Sequence, residues 1–187
     1  NSDLDITVLA SDKPGEPSSV ADYSFTLDLI NNDFTVVTGD ITTGSPGDVI
    51  YAASDNFRIS QQGLEVRANE NDNLIELRAP NTILRAGDGN DYIDIGSSGT
   101  SSEIYGDAGN DTFKLSGSSV EGLEDNDKFF DLRGGSGYDK IQINGDGDLN
   151  FTNILNNGNN ITGVEEVFTD TGGESVITLS FSDVIAM

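Results

Sequence analysis

The sequence contains no cysteine and no histidine. Without cysteine the chain has no disulfide bonds and no thiolate metal sites. Without histidine it lacks the usual protein ligand of zinc and the commonest general base of enzymes. Any metal site formed by these side chains must therefore use oxygen ligands. We expect no enzymatic activity in this chain.

Basic residues are scarce as well. The 187 residues include 9 Lys and Arg against 33 Asp and Glu, which gives a formal net charge of −24. Such a charge repels nucleic acid and anionic membrane surfaces. No apolar run approaches the ~18 residues that a membrane-spanning helix needs. We therefore expect no nucleic-acid binding and no membrane insertion. The hydrophobic share of 35% is too high for a typical disordered chain.

Short strand-like triplets recur along the chain, separated by Gly, Asn, Asp and Ser. The first series advances in steps of 18, 18 and 20 residues and consists of Phe57-Arg58-Ile59, Ile75-Glu76-Leu77, Ile93-Asp94-Ile95 and Phe113-Lys114-Leu115. The second series lies between its members and consists of Leu64-Glu65-Val66, Thr82-Ile83-Leu84 and Glu103-Ile104. Apolar–polar alternation is the periodicity of a strand with one buried face. Two strands in each repeat of this length indicate a parallel β-solenoid with coils of ~18–20 residues.

The repeat also predicts which residues stack on one another. The stacked apolar residues of the first series are Ile41, Ile59, Leu77, Ile95 and Leu115. Stacking of this kind buries a continuous core that no single coil can bury alone. On the outer side of the same strands, Arg58 is expected beside Glu76 and Asp94 beside Lys114. These opposite charges favour the same register.

A turn rich in Gly, Asn and Asp precedes each triplet of the first series. Two residues before the triplet, a side-chain oxygen is always present, at Asp55, Asn73, Asp91, Asp111 and again at Asp139. The motif turns that lead to this position are 68–73, 86–91, 106–111 and 134–139. Glycine allows the backbone to take positive φ and to direct its carbonyl groups inward. We therefore predict a hard cation between stacked turns, and calcium before magnesium because the site is flexible and rich in carbonyl groups.

The motif turns resemble the nonapeptide G-G-x-G-x-D-x-U-x of the repeats-in-toxin (RTX) family. The match is complete from Gly134 to Ile141. The segment Ala86–Ile93 has Ala for the first Gly, and Gly106–Phe113 has Asp for the second Gly. The segment Ala68–Ile75 keeps the spacing without the glycines. The resemblance covers about residues 68–143 and implies a right-handed parallel β-solenoid or β-roll that holds calcium between adjacent coils.

The resemblance also implies the ligands, which are Asp side chains and turn carbonyl groups. The candidate residues are Asn73, Asp72, Asp88, Asp91, Asp107, Asp111, Asp139, Gly87, Gly89, Gly106, Gly109, Gly135 and Gly137, with Asp55 as a possible vestige. The family usually carries the motif in both turns of each coil. Here the opposite turns, Ser60–Gly63, Ala79–Thr82 and Ser97–Ser101, contain no Asp or Glu. We therefore expect calcium along one edge only, with about two to four ions.

The flanks of the repeats are expected to cap the solenoid. We divide the chain into N-terminal capping strands in residues 1–47, the solenoid in 48–143 and a C-terminal cap in 144–187, which together form one structural unit. The C-terminal flank resembles a segment of very large RTX adhesins of Gram-negative bacteria, in which Ser182 would begin a short helix. We expect the chain to be a piece of a longer protein, with neighbouring domains among its partners.

Two surfaces are candidates for ligand contact. Arg67, Arg85 and Tyr105 are expected to stack on the outer face of the second strand series. Residues 116–133 lengthen one coil and include the acids Asp125 and Asp127. That loop is either an additional metal or ligand site or a solvated connection.

Together these features predict an extracellular calcium-binding module of a secreted or surface-attached bacterial RTX protein. The negative charge and the 22 glycines would keep the chain open in a cytosol low in calcium, which suits type I secretion. Millimolar calcium outside the cell would then fold it. We expect calcium-dependent adhesion, as in a biofilm, through a glycan or peptide on another cell surface. The alternatives are a structural spacer or cap, and an accessory calcium module of a secreted enzyme.

Overall fold

A computed structural model describes residues 34–99, 101–116, 131–144, 149–150, 160–169 and 177–178 of the chain. In these residues the structure is all-β and contains no helix. None of the described segments forms a helix with the length and hydropathy needed to span a membrane.

The described strands are short and follow one another at close intervals. They are β1 (Phe34–Val37), β2 (Val49–Ala52), β3 (Asn56–Ile59), β4 (Glu65–Arg67), β5 (Leu74–Leu77), β6 (Ile83–Arg85), β7 (Tyr92–Ile95), β8 (Glu103–Ala108), β9 (Thr112–Ser116), β10 (Asp131–Ser136), β11 (Lys140–Asn144), β12 (Leu149–Asn150), β13 (Asn160–Thr162), β14 (Glu166–Thr169) and β15 (Ile177–Thr178). Both predicted strand series are among them, β3, β5, β7 and β9 in the first and β4, β6 and β8 in the second.

The chain alternates between two parallel sheets. Sheet A has the strand order β1-β2-β4-β6-β8-β10-β13, and sheet B has the order β3-β5-β7-β9-β11-β14. From β2 to β9, each strand pairs in parallel with the strand two places further along the chain. The strands β12 and β15 form a separate parallel pair. The two sheets fit the parallel β-solenoid or β-roll that the repeat predicts.

The register predicted for the first strand series is confirmed. Ile41 pairs with Ile59, and the ladder continues through Leu77, Ile95 and Leu115. All five side chains are buried. A shift of one residue would move the whole row to the solvent face of the sheet, so burial fixes this register.

Charged residues on the outer face of sheet B also pair as predicted. The Arg58 guanidinium lies 2.7 Å from the Glu76 carboxylate, and the Lys114 ammonium lies 3.2 Å from Asp94. Arg78 connects the two acids, at 3.3 Å from Glu76 and 2.9 Å from Asp94. Partly exposed pairs of this kind contribute ~0–1 kcal/mol each, so they support the register more than the stability.

The two sheets begin before residue 48 and continue past residue 143. At one end β1 pairs with β2, and at the other end β13 and β14 extend sheets A and B. Residues 1–33 lie outside the described part of the chain. The helix expected after Ser182 lies outside it too.

Candidate metal-binding site

Four side chains at the same turn position are buried in a row. Asn73, Asp91, Asp111 and Asp139 are each at most 2% exposed. Each ends a motif turn directly before a strand of sheet B, and the parallel pairing of β5, β7, β9 and β11 aligns them. We call this row the buried column. It brings together four of the ligands predicted from the sequence.

Each carboxylate of the buried column accepts a hydrogen bond from the preceding turn. The Asn73 N–H donates to Asp91 Oδ1 over 2.7 Å, and the Asp91 N–H donates to Asp111 Oδ1 over 2.8 Å. The Asp111 N–H donates to Asp139 Oδ1 over 2.9 Å. One oxygen of each carboxylate therefore joins consecutive turns.

One oxygen of each side chain in the column has no hydrogen-bond partner. These buried atoms are Asn73 Oδ1, Asp91 Oδ2, Asp111 Oδ2 and Asp139 Oδ2. Leaving a buried acceptor without a partner costs about 1–3 kcal/mol, and more when the group is charged. Buried charges in proteins are normally paired or bound to a metal ion. A cation beside this column would supply the missing partner.

Negative charge on the buried column is unfavourable without a cation. Burial, together with the smaller effect of the charges of Asp111, Asp72 and Asp107, raises the pKa of Asp91 to about 7. Burial likewise raises the pKa of Asp111 to about 6. A nearby positive charge favours the ionised form of a carboxylate, so a cation would reverse these shifts.

The last carboxylate of the column is affected by a neighbour outside the motif turns. Burial raises the pKa of Asp139, and the negative charge of Glu165 adds to the effect. The two carboxylates are therefore close enough to repel each other. An ion bound between them would turn this repulsion into attraction.

Carbonyl oxygens approach the same carboxylate oxygens. A Cβ atom added to Gly106 would collide with Asp111 Oδ2 and with the carbonyl oxygen of Gly134, so these two oxygens converge beside Gly106. In the same way, a Cβ atom added to Gly134 would collide with Asp139 Oδ2 and with the carbonyl oxygen of Gly163. Gly106 and Gly134 do not have positive φ. Glycine is needed at these positions because it leaves space for oxygen atoms.

The other glycines of the motif turns take positive φ, as predicted. They are Gly87, Gly89, Gly109, Gly135 and Gly137. A Cβ atom added to any of these glycines would collide with a carbonyl oxygen of the preceding turn. At Gly89, for example, a Cβ atom would lie 2.6 Å from the Asn71 carbonyl oxygen. The carbonyl groups of one turn thus point toward the next turn and add oxygen donors between them.

This donor set fits calcium. Within the described residues, no three or more acidic side chains are placed so that they alone could hold a metal ion. An ion here would therefore bind a buried carboxylate oxygen together with carbonyl oxygens from two turns. Calcium accepts six to eight oxygen ligands, carbonyl oxygens included, in flexible geometry, whereas magnesium demands a near-octahedral shell and keeps several waters.

Three predicted ligands have side chains outside the buried column. Asp88 is exposed. Asp72 Oδ1 accepts the Asn90 N–H over 2.7 Å, and Asp107 pairs with Arg85 at 3.1 Å. Their side chains are occupied by other contacts or by solvent, although the carbonyl group of Asp107 does point toward the next turn.

Asp55 differs from the later residues at its position. Its side chain is exposed, and its Oδ1 accepts hydrogen bonds from the Asn69 and Asn71 side chains over 2.8 Å and 3.0 Å. The hydrogen bonds from Asn71 and Asn69 lower the pKa of Asp55. Its charge is therefore stabilised by these amides without a cation.

We call the space between two stacked motif turns an interval. Ala86 places a methyl group in one of these intervals. The pairing of Arg85 with Tyr105 places Ala86 opposite Gly106. Its buried methyl group occupies the position equivalent to the one at which oxygen atoms converge beside Gly106. The intervals that begin at turns 106–111 and 134–139 have Gly at this position and therefore no methyl group there.

Sequence reasoning missed Glu165. The Asp139 N–H donates to Glu165 Oε2 over 2.7 Å, the same contact that Asp111 makes with Asp139. The signal in the sequence was faint because residues 160–165 lack the full motif. It consists of Gly163 followed two residues later by an acid.

Arg67, Arg85 and Tyr105 stack on the outer face of sheet A, as predicted. Arg133 continues the row beside Tyr105. The guanidinium carbons of Arg85 and Arg133 lie 4.3 Å and 5.3 Å from the centroid of the Tyr105 ring. The arginines also pair with acids of the same face, as Arg67 does with Glu65 at 2.6 Å.

The other candidate ligand residues, Asp125 and Asp127, lie outside the described part of the chain. Comparison of the chain with protein-family models, curated proteins and solved structures finds no match.

Proposed function

We propose that this chain is a calcium-binding module that folds as a right-handed parallel β-solenoid when calcium fills the intervals between its motif turns. The observation that carries the proposal is the buried column, in which Asn73, Asp91, Asp111 and Asp139 each keep one buried oxygen without a partner. The nearby carbonyl oxygens support it, because they complete a donor set that calcium prefers.

Electrostatics explains why folding would depend on calcium. A net charge of −24 opposes compaction, and the buried carboxylates add a desolvation penalty. Calcium modules outside cells often have a Kd of ~10⁻⁴–10⁻³ M. At ten times Kd, each site contributes about 1.4 kcal/mol to stability by mass action. Several sites filled together would make folding depend steeply on calcium.

We also propose that the module belongs to a secreted or surface-attached RTX protein of a bacterium. The proposed switch suits this setting, because a chain that stays open at low calcium can pass through a secretion channel and fold outside. The motif turns from Gly134 to Ile141 and from Gly106 to Phe113 support the family assignment.

Within such a protein we propose a structural role. The arginines on the outer face of sheet A already pair with acids of the same sheet or its turns, such as Arg133 with Asp131 at 2.8 Å and Arg85 with Asp107 at 3.1 Å. Side chains that satisfy one another in this way favour a role in stacking the coils. This observation supports a rigid spacer or cap over contact with a glycan or peptide ligand.

Removal of calcium is expected to unfold the module. In millimolar calcium the far-ultraviolet circular dichroism should be that of a β protein with a cooperative melting transition. In EGTA at about pH 8 the transition should be lost or move down by more than 10 °C, since about 4 kcal/mol from three sites is a large part of the stability of a small domain. Millimolar magnesium is the control and should not restore it. An identical spectrum and melting point in calcium and in EGTA would refute the proposal.

A further inference from the structure

The buried column does not end with the last motif turn. Lys140 pairs with Glu166 in sheet B, which places Glu165 opposite Asp139. In sheet A, Arg133 pairs with Thr162. Residues 163–165 therefore follow turn 134–139 as a further, shorter turn.

Glu165 holds the place that an Asp holds in the earlier turns. The Asp139 N–H donates to Glu165 Oε2 over 2.7 Å, and the Glu165 N–H donates to the Asp139 carbonyl oxygen over 3.0 Å. Residues 163–165 span three residues where a motif turn spans six. The side chain of Glu is one methylene longer than that of Asp, and this length compensates for the shorter turn.

The interval between turn 134–139 and residues 163–165 has the same oxygen pair as the interval before it. Asp139 Oδ2 and the Gly163 carbonyl oxygen converge beside Gly134, just as Asp111 Oδ2 and the Gly134 carbonyl oxygen converge beside Gly106. The Asp139 side chain is fully buried, and its Oδ2 atom has no hydrogen-bond partner.

We propose that this last interval binds one further calcium ion, held by Asp139 Oδ2, the Gly163 carbonyl group and the Glu165 carboxylate. This site rests on the proposed function, because it uses the same kind of oxygen set. It differs in that two of its three ligands come from residues outside the RTX-like turns. Two neighbouring carboxylates without a cation would repel each other, and an ion between them removes that repulsion.

The site also explains how the column can end. A motif turn at the end of the series would leave the last Asp N–H and the last unpartnered oxygen facing solvent. Glu165 accepts the N–H, and the ion would occupy the interval beside the oxygen. Calcium would thereby join residues 160–169, which carry β13 and β14, to the rest of the two sheets.

Native mass spectrometry of the full chain in calcium, with calcium alone as the probe, tests the proposal. Glu165→Gln keeps an acceptor for the Asp139 N–H but removes the charge, and it should bind one ion fewer than the wild type. Asp139→Asn should lose the same ion. The double variant should lose one ion in total, because both residues hold the same one. Glu166→Gln is the matched control, since it removes an equal charge from the next residue and should keep the full count.

The outcomes separate this proposal from the previous one. If Glu165→Gln keeps the wild-type count while Asp111→Asn loses an ion, the last site is refuted and the calcium module stands. If the wild type binds no calcium, both proposals fail. Should circular dichroism show that Glu165→Gln does not fold in calcium, Glu165→Asp decides the matter. It should keep the full count but bind one ion at least several-fold more weakly, and an unchanged titration would overturn the proposal.

Discussion

Replacing Asp111 with Asn should stabilise the protein more in EGTA than in calcium. Asp111 is fully buried, and burial raises its pKa to about 6 from an ordinary value of 3.8. At about pH 8 the folded state without calcium must hold an ionised carboxylate in an environment that disfavours it. One pKa unit corresponds to about 1.4 kcal/mol, so the neutral amide should gain on the order of 2–3 kcal/mol in EGTA.

In calcium the same substitution should stabilise the protein less. The amide still accepts the Asp91 N–H, as the Asp111 Oδ1 does over 2.8 Å. It no longer offers a negatively charged ligand, so the interval beside it should lose most of its calcium affinity. The contribution of about 1.4 kcal/mol from a site at ten times Kd would then be lost. The natural Asn73 shows that an amide is accepted at this position of the turn.

The pH dependence in EGTA follows from the sign of the pKa shift. A carboxyl group whose pKa is raised on folding binds more protons in the folded than in the unfolded state. Its contribution is therefore favourable below its unfolded pKa and is lost as the pH rises through its folded pKa. The advantage of Asp111→Asn should be absent below about pH 4, grow up to about pH 6 and stay constant above that.

Urea unfolding in EGTA and in calcium, between about pH 4 and pH 8, measures both effects. Asp88→Asn is the control, because Asp88 is exposed in an adjacent turn and loses the same charge. It should change stability by less than about 0.5 kcal/mol in either condition. An equal change in stability for Asp111→Asn in calcium and in EGTA would contradict the assignment of the buried column.

A single methyl group should decide whether an interval binds calcium. Gly106→Ala places a Cβ atom where Asp111 Oδ2 and the Gly134 carbonyl oxygen converge. The variant should still fold in calcium, since Ala86 occupies the equivalent position in the preceding turn. It should bind one ion fewer, or bind it at least tenfold more weakly. The reverse change, Ala86→Gly, should strengthen the interval beside Asp91.

Isothermal titration calorimetry with calcium gives the number of ions and their affinities for both variants. Gly99→Ala is a poor control because Gly99 packs against Leu77, whereas a Cβ atom on Gly39 would have no other atom within 4 Å. Gly39 has positive φ, so that control should lose some stability yet keep its calcium count. If Gly106→Ala retains every ion at wild-type affinity, space beside the carboxylates is not what governs binding.

The repeat was sufficient to predict the register of the two sheets. Apolar residues such as Ile59, Leu77 and Ile95 recur at a fixed step, and only one register buries all of them. The position of the buried column followed from the same step, because Asp91 and Asp111 each precede a buried strand by two residues. A periodic sequence thus carries long-range information that a single strand does not.

The sequence did not predict how individual oxygens are used. Asp72, Asp107 and Asp91 all lie in or beside motif turns, yet only Asp91 belongs to the buried column. The difference depends on the face of the turn from which each side chain projects and on its contacts with residues such as Asn90 and Arg85. These contacts come from the packing of one turn on another and have no signature within a single repeat.

The sequence pattern also did not predict the residue at which the buried column ends. Glu165 stands in a turn of three residues, so its equivalence to Asp139 appears only when the strands β11 and β14 are paired. The effect of Ala86 was hidden for a related reason. Ala for Gly looks like a minor departure in the motif, and its consequence depends on two oxygens that belong to other residues.

The most direct measurement is a crystal structure of the chain grown in millimolar calcium. The account predicts an ion within about 2.3–2.6 Å of Asp111 Oδ2 and of the Gly134 carbonyl oxygen. A structure in which Asp111 Oδ2 instead contacts water or a protein donor, with no ion along the buried column, would contradict it.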